Sequence, residues 1–393
     1  VEEKRQVIEY QLKEELYNWR ADVRPNVLGK FDEVEGDFSG GEWSVPNPSA
    51  NTLLRANADL TPAIIARAIA KRLKKLGIDA DTTARLDAHL AILDGKDLAM
   101  KTLTLGAAAE RQPWFCSGCP HNTSTKVPEG STARAGIGCH FMANWMERDT
   151  AGLIQMGGEG VDWVSHARFT RTPHVFQNLG DGTYYHSGYL AIRQAVAAQA
   201  NITYKILFND AVAMTGGQPV DGVISVDAIA RQVESEGVKA LAIVSDNIGQ
   251  FDNLRQRFPA MASFHPREEL DVVQRRLREV PGVTVLIYEQ TCAAEKRRRR
   301  KKGEMHDPAR RLMIHEGVCE GCGDCGVQSN CVAVLPQDTR WGRKRRIDQT
   351  HCNKDYSCTT GFCPSFVTVH GGKPRKGARS SKTALLDNLP APT

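Results

Sequence analysis

The stretch that decides the fold is VFQNLGDG, residues 175–182, in which a short apolar run ends in Gly-Asp-Gly. A second apolar run, Thr203–Phe208, ends at Asn209, and 26 residues separate Gly182 from that asparagine. One crossover helix fits this interval, so the two runs are predicted to be neighbouring parallel strands. The carboxyl ends of such strands meet at one edge of the sheet, where ligands bind.

The same alternation of strand-like and helix-like segments continues beyond this pair. We expect strands at Val175–Leu179, Thr203–Phe208, Ala240–Val244 and Val283–Tyr288, and helices at Tyr189–Ala200, Ala228–Glu236 and Leu270–Val280. Continuous apolar strands between helices are typical of a doubly wound parallel sheet. The predicted fold class is therefore α/β.

The first hundred residues have a different pattern of apolar residues. Helical spacing occurs over residues 2–19 and again from Thr61-Pro62, where Thr is a good N-cap and Pro suits the first turn. A Gly- and Pro-containing loop is expected between them, from about Gly29 to Pro48. The chain starts Val1-Glu2-Glu3, without an initiator Met or an apolar signal core, so we expect a piece of a longer protein.

Composition restricts the class of protein. Of the 393 residues, 41% are hydrophobic and 25% are charged, which fits a globular protein of two or three domains. No apolar run approaches the roughly 18 residues of a membrane span. From Lys296 onward, 20 Lys and Arg stand against 9 Asp and Glu, while the rest of the chain carries a net charge of −6. A basic last quarter favours an anionic partner or ligand.

Asp181 and Asn209 are candidate ligands for Mg²⁺, which prefers hard oxygen donors. Gly180 and Gly182 would let the backbone approach phosphates closely. A lone Gly-Asp-Gly is usually only a turn. The paired asparagine at a strand end, followed by the Gly216-Gly217 turn, favours the functional interpretation.

Seven of the 11 cysteines lie within residues 316–363, which favours metal or redox centres over a secreted disulfide framework. One set has the C-x2-C-x2-C spacing and a distant Cys-Pro: Cys319, Cys322, Cys325 and Cys363. Zinc sites usually use isolated pairs, so this set indicates a four-thiolate iron–sulfur cluster in a ferredoxin-like module.

The remaining thiols of this region are Cys331, Cys352 and Cys358, and Asp355 stands where a middle thiolate would complete a second set. Three hypotheses remain: Asp355 ligates iron through oxygen, the second cluster lacks one iron, or it is not built. Against all three, Asp355 is equally well explained as a solvated turn residue.

Three further motifs accompany Gly-Asp-Gly in order: PWFCSGCPH at 113–121, GIGC at 136–139 and AMTGGQ at 213–218. The spacing from Gly-Asp-Gly to Asn209 resembles the thiamine diphosphate signature. Together with that spacing, the three motifs resemble the indolepyruvate ferredoxin oxidoreductases, within the 2-oxoacid:ferredoxin oxidoreductases. The resemblance covers about residues 104–372 and suggests the central segment of the long fused single-chain form.

The resemblance implies site residues and cofactors. Thiamine diphosphate and Mg²⁺ would be held by Gly180, Asp181, Gly182, Asn209, the carbonyl of Ala211, and Gly216. A proximal [4Fe-4S] cluster would use Cys116, Cys119, Cys139 and Cys292. His121 and His186 would contact substrate or diphosphate, although loop histidines more often only donate and accept hydrogen bonds.

The implied reaction is oxidative decarboxylation of a 2-oxoacid, such as indolepyruvate, to its acyl-CoA, with electrons passing through iron–sulfur clusters to ferredoxin. The family needs an activating Glu from another domain, which is not evident here, so the chain is expected to hold half an active site. Its partners would be the remaining catalytic domains of the same long chain or partner subunits, in a cytoplasmic homo-oligomer without membrane or nucleic-acid contacts.

The expected organisation is a preceding-domain remainder (1–103), a thiamine diphosphate-binding domain (104–295), a basic linker (296–314), the ferredoxin-like 4Fe-4S module (315–372) and a linker tail (373–393). Three alternatives remain: a pyruvate- or other 2-oxoacid-specific oxidoreductase, a thiamine-dependent non-redox lyase, and a zinc- and nucleic-acid-binding protein. The cysteine-rich module disfavours the lyase, and the Asp181–Asn209 pairing disfavours the zinc protein.

Overall fold

The computed structural model describes residues 1–32, 52–106, 112–220, 222 and 224–372. The chain divides into two units, Val1–Arg111 and Gln112–Thr393. Most of the loop expected from about Gly29 to Pro48, and the whole expected linker tail 373–393, lie outside the described residues. Among the helices of the described ranges, none has the length and apolar character needed to cross a membrane.

The first unit is helical where it is described, with α1 at Val7–Leu16, α2 at Pro62–Lys75 and α3 at Ala80–Gly106. The predicted cap is confirmed, because the Thr61 hydroxyl accepts a hydrogen bond from the Ile64 amide at 3.3 Å and Pro62 opens α2. The first helix is shorter than the predicted 2–19, and α3 was not predicted.

The second unit is built on a seven-stranded parallel sheet. Its strands are β1 (Ala133–Arg134), β2 (Thr150–Ala151), β3 (Val175–Gly180), β4 (Ile202–Phe208), β5 (Ala240–Ser245), β6 (Ala262–Pro266) and β7 (Val283–Glu289). The strand order is β2-β1-β3-β4-β7-β5-β6. All four predicted strands are present and the predicted α/β class is confirmed. The strands β1, β2 and β6 were missed because they are short or only partly buried.

Helices and turns of 3-10 or π type connect these strands. They are α4 (His121–Ser124), a 3-10 helix (Cys139–Trp145), α5 (Val161–His166), a 3-10 turn (Ala167–Phe169), α6 (Asp181–Thr183), a π turn (Tyr184–Gly188), α7 (Tyr189–Ala197), α8 (Val226–Ser235), 3-10 segments (Ile248–Arg257 and Arg267–Glu269) and α9 (Leu270–Arg278). The three helices predicted in this region correspond to α7, α8 and α9.

Apolar side chains fill both faces of the sheet. Alternate residues of a strand point to opposite faces, so Val285 and Ile287 pack with Ile229 of α8, whereas Leu286 packs with Val273 of α9. Helices on both sides explain why the central strands are apolar without interruption, as in doubly wound folds.

The region after the sheet contains α10 (Ala293–Lys302), β8 (Arg310–Ile314), α11 (Asp324–Ser329), β9 (Val334–Thr339), β10 (Gly342–Ile347), a 3-10 turn (Ser357–Thr359) and β11 (Phe366–His370). Its strands form two antiparallel pairs, β8 with β11 and β9 with β10. The first part of the expected basic linker, residues 296–302, belongs to α10, and the linker assignment stays a prediction. That the region is ferredoxin-like stays a prediction.

Candidate functional site

The carboxyl ends of β3 and β4 bring Asp181 and Asn209 together, as the strand order predicted. The carboxylate of Asp181 accepts hydrogen bonds from the amide of Asn209 at 3.0 Å and from that of Asp210 at 2.8 Å. Its other oxygen accepts one from the Gly182 amide at 2.9 Å. The next strand, β7, leads to Cys292, whose amide donates to the Asn209 carbonyl at 2.9 Å. Three adjacent strand ends therefore form one corner of the sheet edge.

This corner has the electrostatics of a cation site. Burial raises the pKa of Asp181 to about 6, although its three backbone hydrogen bonds oppose the shift. The buried side-chain oxygen of Asn209 has no hydrogen-bond partner within the described residues. A buried carboxylate beside an unsatisfied amide oxygen is costly unless a cation binds both. The two side chains thus fit Mg²⁺, with other oxygens completing its shell.

A cavity of about 480 Å³ opens above these two residues. The predicted site residues among its lining are His121, Cys139, Gly180, Asp181, Gly182, His186, Asn209 and Ala211. Gly216 is not a lining residue. Its carbonyl, and that of Gly217, accept hydrogen bonds from Arg298 at 2.7 and 2.8 Å. Both glycines have positive φ, and a Cβ at Gly217 would lie 3.0 Å from the Arg298 guanidinium, so a side chain there would displace the arginine.

Two histidines face each other on the inner side of this cavity. His121 and His140 are both buried, with ring centroids 5.6 Å apart. Burial lowers the pKa of His121 to about 4, with a contribution from the charge of Lys205, and burial lowers the pKa of His140 to about 3. Both imidazoles are therefore neutral at pH 7 and suited to hydrogen bonding. His186, by contrast, is exposed and contacts the Ser187 hydroxyl at 2.7 Å.

Sequence reasoning missed His140 and Glu159. The Nε2 atom of His140 is buried and has no hydrogen-bond partner among the described residues. Glu159 is fully buried, and its carboxylate accepts from the amides of Gly157 at 2.7 Å and Ile137 at 3.3 Å, fixing the loop that leads to Cys139. In the sequence, the signal that could have identified these two residues is their position beside Gly-rich motifs.

The four thiols of the expected proximal cluster influence one another's pKa. Burial raises the pKa of Cys119 strongly, and the charges of Cys116, Cys292 and Cys139 add to this effect. Burial and the same neighbours raise the pKa of Cys139 to about 11. Thiols whose charges affect one another's pKa lie in the same neighbourhood, so the CxxC loop, the GIGC loop and the start of α10 are near one another. Whether they hold a cluster stays a prediction.

Two further thiol groups form in the C-terminal region. Burial, together with Cys319 and Cys363, raises the pKa of Cys325, and Cys322 is exposed. In the second group, burial raises the pKa of Cys358 to about 12, and the charges of Cys331 and Cys352 add to it.

These groups contain cysteines that the sequence analysis placed together, whereas their role as iron ligands stays a prediction. No three His, Cys, Asp or Glu side chains converge on a point suited to a single metal ion in the ranges that the structure describes. All 11 cysteines are free thiols.

Asp355 is not a solvated turn residue. Its carboxylate forms an ion pair with Arg267 at 2.7 Å and accepts hydrogen bonds from Gln290 at 2.8 Å and from the Ser357 hydroxyl. Burial alone would raise the pKa of Asp355. The charge of Arg267 and these hydrogen bonds outweigh burial and hold that pKa below its usual range. The solvated-turn interpretation is therefore corrected, whereas iron binding by Asp355 stays a prediction. The residue joins the thiol-rich region to the edge of the sheet.

The CxxC loop also contacts the thiol-rich region. The Ser117 hydroxyl lies 3.2 Å from the sulfur of Cys331, and the Asn353 amide donates to the Ser117 carbonyl at 2.8 Å. Gly118 has positive φ, and a Cβ there would lie 3.0 Å from that of Asp355. Only a short, tightly packed loop therefore separates the thiol group that contains Cys116 and Cys119 from the group that contains Cys331 and Cys358.

Helix α10 uses its basic side chains within the molecule. Lys296 pairs with Asp246 at 2.7 Å, and Arg299 pairs with Asp210 at 2.6 Å. Arg300 donates to the Asn353 carbonyl at 2.8 Å. Most of the cations of α10 therefore contact the edge of the sheet or the thiol-rich region.

Comparison with known proteins agrees with this arrangement. Residues 1–103 match the family model described as the indolepyruvate ferredoxin oxidoreductase middle domain. The chain is 24% identical over 286 residues to indolepyruvate oxidoreductase subunit IorA of Thermococcus kodakarensis, and 24% identical over 298 residues to that of Pyrococcus horikoshii. These alignments cover 68% and 67% of the chain but only 41% of each relative.

The fold and the site define the chain as part of an α/β protein with a parallel sheet and with thiol groups beyond the edge of that sheet. By these matches, the chain is similar to part of the indolepyruvate ferredoxin oxidoreductases.

Solved structures are also similar. One is a 2-oxoglutarate:ferredoxin oxidoreductase from Magnetococcus marinus, at 16% identity and a TM-score of 0.35, covering 48% of this chain and 66% of that one. Another is a thiamin diphosphate-dependent enzyme from Mycobacterium smegmatis, described as putative, at 17% identity and a TM-score of 0.29, covering 44% and 31%.

Proposed function

We propose that this chain supplies the diphosphate-binding half-site and the electron outlet of a thiamine diphosphate-dependent 2-oxoacid:ferredoxin oxidoreductase. The observation that carries the proposal is the buried pair at the sheet edge, in which the Asp181 carboxylate adjoins the unsatisfied amide oxygen of Asn209. Mg²⁺ with diphosphate oxygens would compensate both groups.

Thiamine diphosphate, when bound, would supply the carbon nucleophile and the electron sink for loss of CO₂ from the 2-oxoacid. Asp181 and Asn209 would hold Mg²⁺, and Gly180 and Gly182 would leave room for the diphosphate. His121 would act as a neutral hydrogen-bonding group, because its lowered pKa keeps the imidazole unprotonated at pH 7. The activating carboxylate would come from another domain or subunit.

The specific reaction we propose is conversion of an arylpyruvate, such as indolepyruvate, with coenzyme A to the acyl-CoA. Its support is the family match of residues 1–103 and the similarity to IorA subunits. Because the chain spans 41% of those relatives, complete turnover would need further domains or subunits.

The three thiol groups would hold iron–sulfur clusters, two of them of the [4Fe-4S] type, and pass single electrons toward ferredoxin. The order of electron transfer between the groups follows from their contacts. The Cys116 loop contacts Cys331 through Ser117, and the charge of Cys325 affects the pKa of Cys358. Electrons would therefore leave through the Cys331 group before the Cys325 group. With Asp355 engaged elsewhere, the Cys331 group offers three thiolates and fits a three-iron cluster.

The decisive experiment is calorimetric titration of thiamine diphosphate into the chain with and without Mg²⁺. Asp181→Ala should weaken Mg²⁺-dependent binding by about 100-fold, since a charge-assisted contact to the cation is lost. Asp210→Asn is the matched control, because Asp210 is adjacent, carries the same charge and pairs with Arg299 on the surface. Equal affinities of wild type and Asp181→Ala would refute the assignment.

A further inference from the structure

A second cavity, of about 770 Å³, lies in the same unit between the sheet domain and the thiol-rich region. Residues 145–149 form one wall, Trp114 and Lys126 another, and residues around α11 close it. None of its described lining residues also lines the cavity above Asp181. A ligand of this cavity would therefore be independent of the cofactor site.

The unusual feature of this cavity is Arg148. The residue is only 8% exposed, yet its guanidinium makes no hydrogen bond or ion pair among the described residues. Its nitrogens are not among the fully enclosed side-chain atoms that lack a partner, so the charged group opens onto the cavity. Burial lowers the pKa of Arg148, which reports the same unfavourable desolvation. An unpaired buried charge destabilises a fold, whereas an anion bound in the cavity would compensate it. The planar guanidinium fork matches the two oxygens of a carboxylate or phosphate.

Two indole rings provide flat walls for the same cavity. Trp114 is 45% exposed and is held by its Nε1 donating to the Asn330 carbonyl at 3.0 Å. Trp145 is 46% exposed and is supported edge-on by Phe141, with ring centroids 5.0 Å apart. Rings that are fixed on one side and open on the other can stack on a flat ligand.

The charges are arranged from the inside outward. Arg148 is buried, while its chain neighbours Glu147 and Asp149 are exposed at the mouth of the cavity. Lys126, which donates to the Gln328 carbonyl at 3.1 Å, adds a second cation to the lining. A ligand with a deep anionic group and outer hydroxyl or amino groups would find a partner for each.

We propose that this cavity binds a small organic oxyanion that carries a flat ring, with its anionic group on Arg148 and its ring against Trp114 or Trp145. Nucleoside monophosphates and aryl carboxylates share this chemistry. The volume falls within the range of pockets that enclose such ligands. The proposed reaction assigns no role to this cavity.

Two titrations of the 393-residue chain test the proposal and distinguish the sources. Adenosine monophosphate tests the phosphate source, and phenylacetate tests the carboxylate source. With indole excitation, we expect at least one of them to change the tryptophan emission with a Kd of about 1 mM or below, and to raise the melting temperature. The spectral change should disappear in the Trp114→Phe/Trp145→Phe variant but persist in Trp341→Phe, since Trp341 is 51% exposed and lies outside the cavity.

Arg148→Met separates ligand binding from a structural role. We expect it to weaken binding by about 10- to 100-fold and to raise the melting temperature of the ligand-free chain, because an unpaired buried charge is removed. Arg278→Met should instead lower it, since Arg278 is partly buried and donates to the Ser131 hydroxyl at 2.9 Å. Should Arg148→Met fail to fold, Arg148→Lys keeps the charge without the fork and should bind at least tenfold more weakly. Absence of binding by both probes, or binding unchanged in the Arg148 variants, would overturn the proposal.

Discussion

The ion pair between Asp355 and Arg267 should be among the most sensitive points of the second unit. Their side chains are 10% and 15% exposed, and the carboxylate also accepts from Gln290, which is 1% exposed. Asp355→Ala would leave the guanidinium buried without its partner. Breaking a buried pair from one side costs about 3–5 kcal/mol, which corresponds to about a hundredfold to several thousandfold in the folding equilibrium.

The measurement is urea denaturation of the reduced, cluster-free chain, followed by circular dichroism, with the midpoint compared at constant slope. Asp252→Ala is the matched control, because Asp252 also pairs with an arginine, Arg255, but their side chains are 65% and 44% exposed. That control should cost about 0–1 kcal/mol.

A double variant, Asp355→Leu with Arg267→Met, should recover most of the loss, since neither charge is then buried alone. Asp355→Cys should be destabilising for the same reason as Asp355→Ala, even though it completes the ferredoxin spacing. If Asp355→Ala costs no more than Asp252→Ala, the ion pair does not join the thiol-rich region to the sheet.

The remaining predictions concern acid stability and backbone packing. Burial opposes ionisation of Asp227, but the Ser225 hydroxyl and the charges of Arg257 and Arg231 lower its pKa. The contribution of Asp227 to the free energy of unfolding is therefore present above about pH 4 and is lost as the pH falls through the lowered pKa. Asp227→Asn should therefore flatten the acid limb of a plot of stability against pH, and an unchanged limb would contradict this. Gly136→Ala should destabilise the chain by about 1–3 kcal/mol in the same denaturation assay, because its Cβ would lie 2.4 Å from the Asn178 carbonyl oxygen. Gly326→Ala, with nothing within 4 Å of the added Cβ, is the neutral or stabilising control.

The sequence by itself determined the central strands of the sheet and the residues at their carboxyl ends. Strand and helix alternate with a clear apolar pattern, and a parallel sheet places the ends of consecutive strands side by side, so the pattern alone is enough to pair Asp181 with Asn209. The spacing of the cysteines likewise predicted which thiols would group together. The short strands β1 and β2 and the half-buried β6 lacked such a pattern, because few of their side chains enter the core.

The tertiary structure alone decided what the charged residues do. In the sequence, Asp355 looked like a ligand or a solvated turn residue, and the basic run like a linker, because charge has no periodicity that reveals its partner. Arg267 lies 88 positions from Asp355, and Arg299 lies 89 positions from Asp210, so only the folded chain brings each pair together. The same holds for Arg148: burial depends on what packs around a side chain, and its lack of a partner is a property of the fold, not of its neighbours in sequence.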